Sequence, residues 1–147
     1  MASPPSLKVN VLLRGEQSGG HVSIVEIVVP AGSAGPPLHT HDFDEAVYML
    51  EGELTFQVRD EVATKRAGEV SFAPRNVAHT LANHSDADAR YVLVCTPAGL
   101  ERQFARIAAA SRGVEPPDWA LQPSPEVIEV GPRIAPDLEA ARGRHAR

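Results

Sequence analysis

Between residues 8 and 96 the chain never keeps one apolar period for long. Short runs rich in Val, Ile, Leu and Tyr alternate with clusters of Gly, Pro, Asn and Asp at intervals of about eight to twelve residues. A helix needs ten or more residues of 3.6-fold pattern, so this rhythm predicts an all-β sandwich or barrel rather than alternating strands and helices. The strands read as 8–13, 21–29, 38–41, 45–50, 53–58, 62–65, 70–72, 79–81 and 90–96. In Leu54-Thr-Phe-Gln-Val58 the alternation puts Leu54, Phe56 and Val58 on one dry face.

After Thr96 the character changes. Leu100, Phe104 and Ile107 follow Gly99 at helical spacing, and Gly113 is placed to end the helix, which should pack across the barrel. Prolines 116, 117, 123, 125, 132 and 136 then exclude long regular structure. Within that stretch Val127–Val130 reads as an added strand and 137–142 as a short helix, and Trp119 needs an apolar partner on the barrel or on a second subunit. The division expected is a barrel over 1–98 and a C-terminal helix with a Pro-rich tail over 99–147.

Four side chains point to chemistry. His39, His41 and Glu45 fall within seven residues at odd positions, the spacing that a two-residue period turns to one side, and His79 arrives on a separate run. Three imidazoles and one carboxylate suit one divalent first-row ion (Fe, Mn, Ni, Co, Cu or Zn) and leave coordination positions open for an oxygen-bearing ligand. His21 and His84 read as surface histidines, and His145 belongs to the charged tail.

The spacers around these residues form two patterns: His39-x-His-x3-Glu-x6-Gly52, and Gly68-x5-Pro74-x-Asn76-x2-His79-x3-Asn83. Together they resemble the paired motifs of the cupin family, over residues 33 to 83. Ser33 stands where a glycine is usual, and Asn76 stands where the second motif normally has glycine; asparagine tolerates the left-handed backbone a glycine would supply. The resemblance implies a double-stranded β-helix, or jelly roll, with the ion held inside by His39, His41, Glu45 and His79. It is similar in its ligand quartet to single-barrel quercetin-type dioxygenases, which implies a second role for Glu45 as general base. Val47 and Met49 continue the odd face past Glu45, and Phe43, Phe56 and Phe72 are candidate apolar walls of a substrate pocket.

Two function classes stay open at this point. One is an oxygenase for a small enol, phenol or diketone that chelates the ion. The other is a non-redox isomerase, lyase or cyclase, or a binder of small ligands.

Composition removes other classes. With 14 Lys plus Arg against 19 Asp plus Glu, the formal charge is −5, and no basic block precedes the Arg-bearing tail, so nucleic acid is not an expected partner. The longest apolar run, 24–30, is broken by Glu26 and falls far short of a bilayer span, and the opening Met-Ala-Ser-Pro-Pro lacks the apolar core of a secretion signal. A cytoplasmic protein is expected. Cys95, the one cysteine, lies in an apolar run with no basic neighbour and reads as a buried hydrophobe. A homodimer through edge strands is expected, since pairing would remove exposed edges.

Overall fold

The computed structural model describes residues 7–136. The expected helix at 137–142 and His145 lie outside them.

Among the described residues ten strands form two five-stranded antiparallel sheets facing each other. They are β1 (Lys8–Leu13), β2 (Ser23–Val29), β3 (His39–Thr40), β4 (Asp44–Glu51), β5 (Glu53–Val58), β6 (Glu61–Arg66), β7 (Val70–Ala73), β8 (His79–Ala82), β9 (Ala89–Thr96) and β10 (Ile128–Glu129). The first sheet runs β1-β2-β9-β4-β7 and the second β10-β3-β8-β5-β6. This is the all-β architecture that the turn rhythm predicts, arranged as the jelly roll that the resemblance implies.

The core is the interleaving of the two inner faces. In β2 and β9 alternate residues are buried: Val25, Ile27 and Val29 against Tyr91, Leu93 and Cys95. Leu54 and Phe56 close the layer from the second sheet. Cys95 is buried in this layer as expected, and burial, with the charge of Glu45 nearby, pushes its thiol well above the ordinary range.

Three expected strands shorten, the added strand 127–130 becoming Ile128–Glu129. β2 begins at Ser23 rather than His21. β3 shrinks to two residues because the Leu38 backbone is claimed by the C-terminal tail: its N–H donates to Pro132 O (3.2 Å), and its carbonyl accepts from Val130 N (2.8 Å).

Helix α1 (Leu100–Ser111) packs on β1 and β2. Its N-terminus is tied down by Glu101, which is fully buried. One carboxylate oxygen accepts from Gly99 N at 2.6 Å and the other from Gly15 N at 2.7 Å. Two arginines of α1 then hold the Pro-rich tail by its carbonyls. Arg102 donates to Pro123 O (2.8 Å), and Arg106 to Ala120 O (2.7 Å). Trp119 sits half-buried in a short 3-10 turn (Asp118–Leu121), with the Arg14 guanidinium 5.1 Å above its ring. The tail therefore docks on its own chain and ends as β10 beside β3. Among the described residues no helix is long and apolar enough to cross a membrane.

Candidate metal centre

The four residues singled out in the sequence come from three places. His39 and His79 are directly opposed on β3 and β8 of one sheet, Glu45 lies on β4 of the other, and His41 sits in the bend between β3 and β4. Odd-numbered parity along one strand is therefore not what aligns them. The chain changes sheets at Asp42–Phe43, and the two inner faces bring the groups together.

Two backbone features hold this arrangement. Asn76 has φ +63°, the left-handed conformation expected of it, and its N–H donates to His41 O at 2.7 Å, pinning the β7–β8 turn to the β3–β4 bend. Gly35 has φ +73°, and a Cβ there would lie 1.8 Å from Leu81 O, so the segment leading to His39 lies directly on β8.

Each ring is aimed by its own backbone. Nδ1 lies 2.7 Å from Pro37 O in His39, 3.0 Å from Phe43 O in His41 and 2.8 Å from Val77 O in His79. A carbonyl only accepts, so each Nδ1 carries the proton and each Nε2 presents a lone pair. The ligand atoms of the three histidines lie within 4.8 Å of one another. Glu45 lies beside this trio without joining its mutual 4.8 Å convergence, its two carboxylate oxygens 3.3 Å from His41 Nε2 and 3.6 Å from His79 Nε2. His79 Nε2 is buried with no hydrogen-bond partner, an orphaned acceptor that a metal ion would satisfy. Tautomer, convergence and donor chemistry all fit a divalent first-row ion.

Electrostatics agree. Burial alone would raise the Glu45 carboxyl, but the His41 and His79 imidazoles facing its two oxygens, positive when protonated, outweigh it and hold the group at about 2. For His79 burial pulls downward, yet the Glu45 carboxylate dominates and the imidazole is raised. His39 is lowered, chiefly by burial, partly opposed by the Pro37 carbonyl. At neutral pH the centre thus holds an ionised carboxylate, and His79 must give up any proton before it binds an ion.

The centre opens into a cavity of about 620 Å³. Val47 and Phe56 line it. Phe43, Met49 and Phe72 do not. Phe43 is buried behind the site, stacked on the His41 ring with centroids 3.6 Å apart, so it braces a histidine instead of forming a wall. Met49 is fully buried in the core. Phe72 is 52% exposed: it pairs with Ala46 on the outer face of its sheet, while its neighbour Ala73 pairs with Glu45 and faces inward.

Tyr91, Leu93, Leu81, Val58, Gln103 and Phe104 supply wall that sequence reasoning missed. For Tyr91 and Leu93 the signal was present as strand alternation in 90–96, but the register against β4 was not. Burial, and then the charge of Glu45, push the Tyr91 hydroxyl far up, so it remains a protonated donor.

The two remaining histidines among the described residues divide. His21 is exposed; His84 is only half-exposed, with both ring nitrogens buried and unpartnered, which corrects its reading as a surface residue.

Residues 25–95 match the profile of the cupin domain. Among solved structures the chain is similar to a predicted oxalate decarboxylase from Thermotoga maritima at 25% identity and TM-score 0.58, covering 62% of this chain and 80% of that one. It is similar to an RmlC-like cupin family protein with a double-stranded β-helix fold from Methanocaldococcus jannaschii at 23% identity and TM-score 0.54, covering 63% and 82%. A cupin domain from Schizosaccharomyces pombe is similar at 18% identity and TM-score 0.56, covering 76% and 74%. No curated protein sequence matches the chain.

Proposed function

This chain belongs to the cupin superfamily, and on that premise we propose that it is a metal-dependent enzyme of dioxygenase type acting on a small chelating enol, phenol or diketone. One observation carries the reading: three Nε2 lone pairs converge, with the Glu45 carboxylate beside them, at a cavity whose walls are mostly apolar. His39, His41, Glu45 and His79 would hold the ion. When bound, a divalent ion there would supply Lewis acidity and, if redox-active, a route for electrons between substrate and dioxygen.

The remaining roles belong to the chain. The carbonyls of Pro37, Phe43 and Val77 fix the imidazole tautomers. Glu45 serves as fourth ligand, its carboxylate offsetting part of the ion's charge. Tyr91 offers a hydrogen bond from the wall, and Val47, Phe56 and Leu93 exclude water around a flat organic molecule.

A second reading, non-redox chemistry at the same ion, is favoured by the similarity to a protein described as a predicted oxalate decarboxylase. Oxygen separates the two. Purified protein reconstituted with Fe, Mn, Ni or Co and given chelating diols and diketones should consume dioxygen. Silence across metals and substrates moves the assignment to the non-redox class, and absence of any stoichiometric metal uptake overturns both.

A further inference from the structure

The C-terminal tail brings a second carboxylate to the centre. β10 pairs with β3 so that Glu129 is directly opposite His39, and His39 is in turn directly opposite His79. Directly opposed residues of antiparallel strands point to the same face, with Cβ atoms roughly 5 Å apart. His79, His39 and Glu129 therefore form one row across three strands on the cavity side, and Glu129 lines the cavity. It is exposed at the rim and is not one of the three converging ligand residues.

β10 is not a loose end. Leu38 holds Val130, Gly131 and Pro132 through backbone hydrogen bonds, and Arg102 and Arg106 of α1 fix the tail upstream. This segment lies beyond residues 25–95, the span that matches the cupin profile.

We propose that Glu129 is the proton acceptor for a hydroxyl-bearing chelating ligand at the metal centre. The inference rests on the metal reading above and takes the base role away from Glu45, whose two oxygens are already committed, one toward His41 and one toward His79. Glu129 has no such commitment to the histidines and faces water, to which it passes the proton on. In the step, the ligand O–H bond breaks, the electron pair stays on oxygen, and the proton moves to a Glu129 carboxylate oxygen.

Charge gives the ligand class. Glu45 and Glu129 together match the two positive charges of a divalent ion. The one cationic residue lining the cavity among the described residues, Arg133, is tethered at the rim by Nε donating to Gly35 O at 2.9 Å. A neutral hydroxyl donor such as a catechol or enediol suits that balance better than a dianion does.

The test uses the full chain loaded with Co(II), titrated with catechol and separately with oxalate while the visible absorption bands of the cobalt are followed. E129Q removes the charge and keeps the volume. E126Q removes a charge from an exposed position on the same tail that does not line the cavity. Loss of one charged acceptor should weaken catechol binding about tenfold in E129Q. Oxalate binding should stay equal or tighten, and E126Q should follow the wild type. Equal weakening of both ligands, or no change in E129Q, overturns the assignment while leaving the metal reading intact. Failure of the wild type to take up Co(II) overturns both.

Discussion

Glu101 is the perturbation that tests the packing logic most directly, because a single side chain joins α1 to the β1–β2 connection. Its two oxygens accept from Gly99 N and Gly15 N, and it is fully buried. A hydrogen bond to a charged group contributes about 1.5 to 3 kcal/mol, and leaving a buried donor unpaired costs a similar amount. Glu101→Ala orphans two N–H groups and leaves a void, so it should destabilise the fold by about 3 to 6 kcal/mol, a large share of the roughly 5 to 15 kcal/mol that holds a domain together. Glu101→Gln keeps the volume and one acceptor but turns an NH2 group toward a backbone donor; about half that loss is expected. Urea unfolding followed by Trp119 fluorescence measures both, and native-state hydrogen exchange should show the Gly15 and Gly99 amides losing protection first. Leu100, Gln103 and Phe104 of α1 wall the cavity, so ligand affinity should fall along with stability. A Glu101→Ala protein within 1 kcal/mol of wild type, or a Gln variant as damaged as the Ala variant, would refute this account.

The other expectations are more local. Metal affinity should fall as pH drops, because the raised pKa of His79 makes a proton compete for its Nε2; below that pKa the loss is about tenfold per pH unit, while Glu45, held at about 2, stays ionised. Co(II) titrations from pH 5.5 to 8 read the slope, and a flat profile contradicts it. Phe43→Leu should keep the fold but release the His41 ring from its stacking partner, weakening metal binding about tenfold in the same titration. Gly35→Ala combines a left-handed φ with a collision against Leu81 O, and should lower stability by at least about 2 kcal/mol in urea unfolding, with loss of metal uptake as β8 is displaced. Cys95 should not react with a thiol reagent until the chain unfolds, since it is 1% exposed and held as the neutral thiol.

What the residues determined on their own was identity and local shape. Short β runs punctuated by turn residues dictate many strands, since no segment before Leu100 has a helical face to bury. Three imidazoles and a carboxylate are donor types suited to a first-row ion once the fold brings them together. Asn76 was legible as a left-handed turn for the same local reason. Tertiary structure decided everything that depends on register. Phe43, Met49 and Phe72 look alike as apolar residues near a site, yet one braces His41, one fills the core and one faces outward, because a one-residue change of parity reverses the face of a strand. The same is true of the metal group itself, assembled from two sheets and a bend rather than from one strand. Glu129 lies ninety residues after His39 in a proline-rich stretch with no motif around it; only the pairing of β10 with β3 sets the two side by side. Chemistry is carried by residue type, which the chain states outright, whereas proximity is carried by long-range hydrogen bonding, which exists only once the sheets have formed.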